Sequence, residues 1–275
     1  MLPEFKDFLK LSINVDYHKK LEDHEWLTID NQFGFKPKHG TGMCIFLLKQ
    51  TVSYYVNKET PVFSTFLDAS KAFDRTNHNL LFAKLIKRNV SMRIVRLLLS
   101  WYRQQTMQVK WVPTTHPLYS NQWGKARESP EPIRYLFAVY LDELSIKLGS
   151  ARVGCTVGNM VVNHLKFADD ICVCSPSTSG LQCLLNICGD YTAEHEIIFN
   201  CNKTIGVLFC PKKYKQPASS NVFLNGVRVQ FLNQVKYLGV WINASLKDDD
   251  DIQRRNHYTV QQTNSRALLI SALLQ

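Results

Sequence analysis

Pro61-Val62-Phe63-Ser64-Thr65-Phe66-Leu67, closed by Asp68, and Val161-Val162-Asn163-His164-Leu165-Lys166-Phe167-Ala168-Asp169-Asp170-Ile171-Cys172-Val173-Cys174 decide the fold. The first run is short, apolar and partly β-branched or aromatic, and it stops at a charge, which predicts a buried strand ending at Asp68. In the second, within residues 157–175, Val161, Val162, Leu165 and Phe167 lead into Ala168-Asp169-Asp170, and Ile171-Cys172-Val173-Cys174 resumes an alternating run. That pattern predicts a β-hairpin with two carboxylates at its tip. Two strand ends therefore present acidic side chains, and no Lys or Arg adjoins Asp169 and Asp170 to neutralise them. Hard oxygen donors on rigid β-structure suit Mg²⁺. A two-metal site, with ions roughly 3.5–4 Å apart, needs carboxylates from at least two places in the fold. Taken alone, an Asp-Asp tip is more often the mark of an ordinary surface turn than of a metal site.

Around these strands the pattern is helical. Thr76 or Asn77 can cap a helix that puts Leu81, Leu85 and the Leu80/Ala83 pair on one face. Residues 91–102 and 135–148 carry helical periodicity, the latter through Phe137, Leu141, Leu144 and Leu148. Ser177 or Thr178 caps a further helix bearing Leu181, Leu184, Leu185, Cys188 and Tyr191 on its face, and strands are expected at 205–209 and 235–242. The mixed order predicts an α+β fold with helices packed on a mainly antiparallel sheet.

With 275 residues, 45% hydrophobic and 20% charged, the chain can bury a sizeable core, which excludes global disorder and a small disulfide scaffold. A formal net charge of +10 favours a polyanionic partner. The eight cysteines form no CxxC pair and read as buried thiols of a reducing compartment. Met1 to Ser12 lacks the basic and apolar regions of a signal peptide, and charges or glycine interrupt every apolar stretch. An intracellular location, nuclear or cytoplasmic, with no secretion and no membrane insertion is expected. The acidic run from Asp248 to Asp251 reads as a solvated turn.

Phe66-Leu67-Asp68-Ala69-Ser70-Lys71-Ala72-Phe73-Asp74 and Phe167-Ala168-Asp169-Asp170 together resemble the first and third palm motifs of reverse transcriptases from non-LTR (LINE-type) retrotransposons. Asn31-Gln32-Phe33-Gly34-Phe35-Lys36-Pro37-Lys38-His39-Gly40-Thr41 is similar to the fingers motif, Asn200-Cys201-Asn202-Lys203-Thr204 to the fourth motif, and Val235-Lys236-Tyr237-Leu238-Gly239-Val240 to the primer-grip segment. The motifs keep the family's order. The resemblance implies a right-hand polymerase palm with partial fingers over residues 27–255. Residues 1–26 stay unassigned. The activity it implies is RNA-directed DNA synthesis, in which a primer 3′-OH attacks the α-phosphate of a dNTP and pyrophosphate leaves. By the same resemblance Asp68, Asp169 and Asp170 would be catalytic and bind two Mg²⁺, with Mn²⁺ as a substitute. Phe73 would gate the ribose 2′-OH, Lys203 would assist the leaving pyrophosphate, and Lys36 would meet the triphosphate. Lys36 stands where the family usually has an Arg, and it lacks the bidentate fork. RNA template, DNA primer and dNTP are the implied partners. An oligomeric state is not implied.

Two stretches depart from the family. Where a Gly-x-x-Gln-Gly loop should open a helix, the chain reads Trp123-Gly124-Lys125-Ala126-Arg127-Glu128-Ser129-Pro130-Glu131-Pro132-Ile133, without the Gln. Synonymous codons exist for this stretch that, read one nucleotide later, encode Gly-Val-Arg-Gln-Gly-Arg-Val-Leu-Ser-Pro. Residues 256–275 likewise read as an out-of-frame tail, so little or no thumb is expected. These departures imply an impaired polymerase, or else a non-catalytic nucleic-acid-binding remnant.

Overall fold

A computed structural model describes residues 31–34, 39–69, 77–103, 106–111, 114–119, 131–213 and 221–247. In chain order the elements are α1 (Thr41–Asn57), β1 (Val62–Asp68), α2 (His78–Lys87), α3 (Met92–Arg103), β2 (Thr106–Trp111), β3 (Thr114–Tyr119) and α4 (Glu131–Ser150). There follow β4 (Thr156–Val157), β5 (Met160–Val161), β6 (His164–Phe167), β7 (Asp170–Ser175), α5 (Thr178–His195) and β8 (Ile205–Phe209). The described chain closes with β9 (Phe223–Leu224), β10 (Val227–Arg228), β11 (Gln230–Leu232), β12 (Gln234–Tyr237) and β13 (Val240–Asn243). Five strands form the main sheet in the order β11-β8-β1-β7-β6. β1 runs antiparallel to both β7 and β8, and β11 alone adds in parallel, to β8.

β1 is buried from Val62 to Leu67 because it is covered on both faces. Phe63 and Leu67 point into a core shared with α2, α3, α4 and α5, where Leu81, Leu98, Leu144 and Leu184 are fully buried. Val62 and Phe66 point the other way, into a core closed by α1 and the β12–β13 hairpin. β7 alternates in step, with Ile171 and Val173 on the first face and Cys172 and Cys174 on the second. Each Leu or Phe buried in this way contributes about 1.5–3 kcal/mol. A one-residue slip of β1 against β7 would turn both rows inside out, so the register is fixed by two cores at once.

The strands expected at 61–68 and 205–209 are present as β1 and β8, the expected hairpin forms with its turn at Ala168-Asp169 and Asp170 opening β7, and Ser177 caps α5 by accepting a hydrogen bond from Gly180 N at 3.1 Å. The expected single strand at 235–242 is instead the β12–β13 hairpin: Leu238 and Gly239 both sit at positive φ, 48° and 81°, which a tight two-residue turn requires. On α2, Lys84 and not Ala83 is buried. Its ammonium reaches Glu143 Oε2 at 2.5 Å and Tyr191 Oη at 3.3 Å, so pairing overrides polarity. α1 and the β2–β3 ribbon had no counterpart in the sequence pattern. Of the cysteines, Cys44, Cys155, Cys172, Cys174 and Cys188 are buried, whereas Cys183 is exposed and Cys201 and Cys210 are half-buried. Among the described residues, no helix is long and apolar enough to cross a membrane.

Asn77 is the cap of α2, its Oδ1 accepting from Asn79 N at 3.0 Å and Leu80 N at 3.3 Å. Asn77→Ala should cost about 1 kcal/mol in denaturant unfolding, and an unchanged midpoint would show that the cap adds nothing.

Candidate active site

The pairing of β1 with β7 sets Asp68 directly opposite Asp170. Asp68 follows Phe66 by two residues and Asp170 precedes Cys172 by two, so both carboxylates lie on the face shared with α1 and the β12–β13 hairpin. Asp169 occupies the two-residue turn before Asp170, after Ala168 at φ 60°. The nearest basic residue in sequence, Lys166, is on the opposite face. It is fully buried, donates to Leu141 O at 2.9 Å and lies 3.9 Å from Asp142. It therefore offers the carboxylates no neutralisation.

Lys203 arrives from a different part of the chain. Asn200 N donates to Asp68 O at 2.8 Å, which fastens the 200–204 turn to the end of β1. Asn200 O then accepts from Lys203 N and Thr204 N at 3.0 and 2.9 Å. This turn holds Lys203 Nζ 3.7 Å from Asp68 Oδ2, with the lysine side chain still 70% exposed, so the ammonium is free to swing. Phe66 and Tyr237, ring centroids 5.0 Å apart, wall the carboxylates on the apolar side, and Tyr237 Oη lies 3.6 Å from Cys44 Sγ. The resulting cleft of about 570 Å³ is lined by Asp68, Asp170, Lys203, Lys236, Tyr237 and Trp241.

Burial, reinforced by the Asp169 and Asp68 charges, raises Asp170 to about 6. A carboxylate in that condition gains from a cation. Among the described residues no three His, Cys, Asp or Glu side chains converge into a ready cage. The opposed pair with Asp169 beside it suits a hard cation that keeps several waters and completes its shell with substrate phosphate oxygens. Lys36 and Phe73 lie outside the described residues, as do the family-divergent stretch at 123–130, the tail from 256 and the boundaries at 26/27 and 255/256.

Residues 11–242 match the family described as reverse transcriptase (RNA-dependent DNA polymerase). The chain belongs to that family. It is 27% identical over 269 residues to the probable RNA-directed DNA polymerase from transposon X-element of Drosophila melanogaster, covering 90% of this chain and 28% of that protein. It is 25% identical over 221 residues to the RNA-directed DNA polymerase from mobile element jockey of Drosophila funebris, covering 78% and 23% respectively. The chain thus spans about a quarter of the length of these curated relatives. The apo telomerase from Candida tropicalis has the same fold at a TM-score of 0.58 and 12% identity, over 88% of this chain and 41% of that one. The reverse transcriptase domain seen here is of the non-LTR retrotransposon type, α+β with a right-hand polymerase architecture. Its family works with divalent metal ions on a nucleic-acid template.

Sequence reading passed over Trp241 and Leu232, which also line the cleft. Leu232 lies on a three-residue parallel strand and Trp241 on a strand read as continuous with its neighbour, so neither carried a periodic signal.

With its folded-state value raised, the ionised Asp170 opposes folding. The penalty is absent below the ordinary carboxylate range near 4, grows as pH rises, and is complete above about 6. Asp170→Asn should therefore raise the Tm of metal-free protein at pH 7 by roughly 2–4 °C, the effect of about 1 kcal/mol in a chain of this size. The gain should vanish near pH 4. A gain independent of pH would point to a cause other than the buried charge on Asp170.

Proposed function

We propose that this domain houses an impaired RNA-directed DNA polymerase site in which Asp68, Asp169 and Asp170 hold two Mg²⁺, or Mn²⁺ in their place, for a primer 3′-OH and a dNTP. The observation that carries the reading is the register that sets Asp68 opposite Asp170 in a cleft also lined by Lys203 and Lys236. When bound, the metal ions lower the pKa of the attacking hydroxyl and neutralise the leaving pyrophosphate. The protein's own share is positional. β1 and β7 fix two carboxylates against each other, and the Phe66–Tyr237 wall keeps water from one side of the site. Lys203, on a mobile stem beside Asp68, can follow the triphosphate as charge develops on it. Lys236, on the hairpin lining the same cleft, supplies a phosphate contact for the primer strand. Lys36 on the triphosphate and Phe73 under the sugar complete the assignment.

The absent Gln between Trp123 and Ile133 favours a second reading, a nucleic-acid-binding remnant whose metal site outlives its turnover. Near-attack geometry is demanding, since a displacement of about 1 Å can cost on the order of a hundredfold in rate.

On a primed poly(A) template with dTTP and Mg²⁺, the unaltered chain should extend no primer above background. Partial activity should return when Gly-Val-Arg-Gln-Gly-Arg-Val-Leu-Ser-Pro replaces residues 124–133 and an in-frame thumb is supplied, and Asp68→Asn should abolish it again. A repaired chain that stays inert would leave only the remnant reading. Extension by the unaltered chain, lost in Asp169→Asn, would show that the divergent loop suffices for catalysis.

A further inference from the structure

Residues 31–34 run alongside β6 as a short strap. Lys166 N donates to Asn31 O and Phe33 N donates to Lys166 O, each at 2.7 Å, and Asn31, Gln32 and Phe33 are all buried. The Gln32 side chain turns back to donate to Gly34 O at 3.1 Å, which shapes the end of the strap. At that end, a Cβ on Gly34 would lie 2.5 Å from Ala168 N and 3.1 Å from Phe167 C. These are backbone atoms of the turn that carries Asp169, so no side chain can swing aside to make room. Ala168 itself is buried and sits at φ 60°, a left-handed conformation that a residue with a Cβ keeps only when its surroundings impose it. Gly40, Gly42 and Gly158, by contrast, face open space.

We propose that Gly34 is a positioning residue for the metal site: its bare backbone seats the Ala168-Asp169 turn and thereby sets the Asp169 and Asp170 carboxylates against Asp68. The assignment rests on the proposed function of those carboxylates. It gives the strap a task that hydrogen bonding alone does not explain, because the bonds to β6 are made by residues 31 and 33 and leave the bare backbone at residue 34 unaccounted for. Gly34 touches no reacting atom and acts through the turn.

Mn²⁺ titration of the full chain, followed by water-proton relaxation, tests this together with the amide resonances of Ala168 and Asp169. Gly34→Ala should weaken Mn²⁺ binding by about tenfold or more, the usual loss when a group supporting metal ligands is altered, and should move both amide resonances. Gln32→Ala, which frees Gly34 O without adding bulk, should weaken binding in the same direction and by less. Gly42→Ala, in open space on α1, should change neither readout. Gly206→Ala, whose Cβ would meet the Phe231 ring at 2.8 Å, should lower stability and leave Mn²⁺ affinity unchanged. Equal affinity in Gly34→Ala and the unaltered chain overturns the inference while the site reading stands. An unaltered chain that binds Mn²⁺ no better than Asp170→Asn overturns the site reading and the inference with it.

Discussion

Two carboxylates facing each other across adjacent strands repel, and the fold has to hold them there. Asp68 and Asp170 are opposed because β1 and β7 are locked in register by alternating side chains that fill a different core on each face. Neither residue can retreat without moving a strand that is buried on both sides. Burial first, and the neighbouring Asp169 and Asp68 charges second, raise Asp170 to about 6. On the proposed function, a divalent cation would relieve the repulsion, so the arrangement that lowers the stability of the metal-free protein is also the one that would draw the metal.

The rest of the molecule serves this constraint from several directions. Lys166, which could have quenched the pair, is turned to the far face and anchored to Leu141 O beneath α4. The 200–204 turn is tied to the last residue of β1, so Lys203 reaches Asp68 from outside the sheet. The β12–β13 hairpin is pinned through Tyr237 to Phe66 of β1 and to Cys44 of α1. From the fingers side, residues 31–34 press on the backbone of the turn itself.

Much of this was legible because local chemistry and tertiary packing agree. The apolar run closing at Asp68, the hairpin through Ala168-Asp169 and the caps at Asn77 and Ser177 each carry their signal within a few residues, and the structure follows them. Where distant partners decide, the pattern fell short. Lys84 is buried because Glu143 and Tyr191 receive its ammonium, and no property of α2 alone announces that. The turn at Leu238-Gly239 divides an apolar run that reads as one strand, since Leu is a poor marker of a left-handed turn. In the site, each strand end was readable from its own residues, whereas bringing Asp68 together with Asp170 rested on the family resemblance, because the β1/β7 register is a long-range pairing that lies in neither motif.

Anomalous diffraction from crystals of this chain soaked in Mn²⁺ addresses the opposed pair most directly. The expected result is a manganese peak between the Asp68 and Asp170 carboxylates, with Asp169 within reach of the same cluster, and loss of that peak in Asp68→Asn. A peak confined to other acidic groups, or Asp68 and Asp170 side chains turned to opposite faces of the sheet, would contradict a shared metal site.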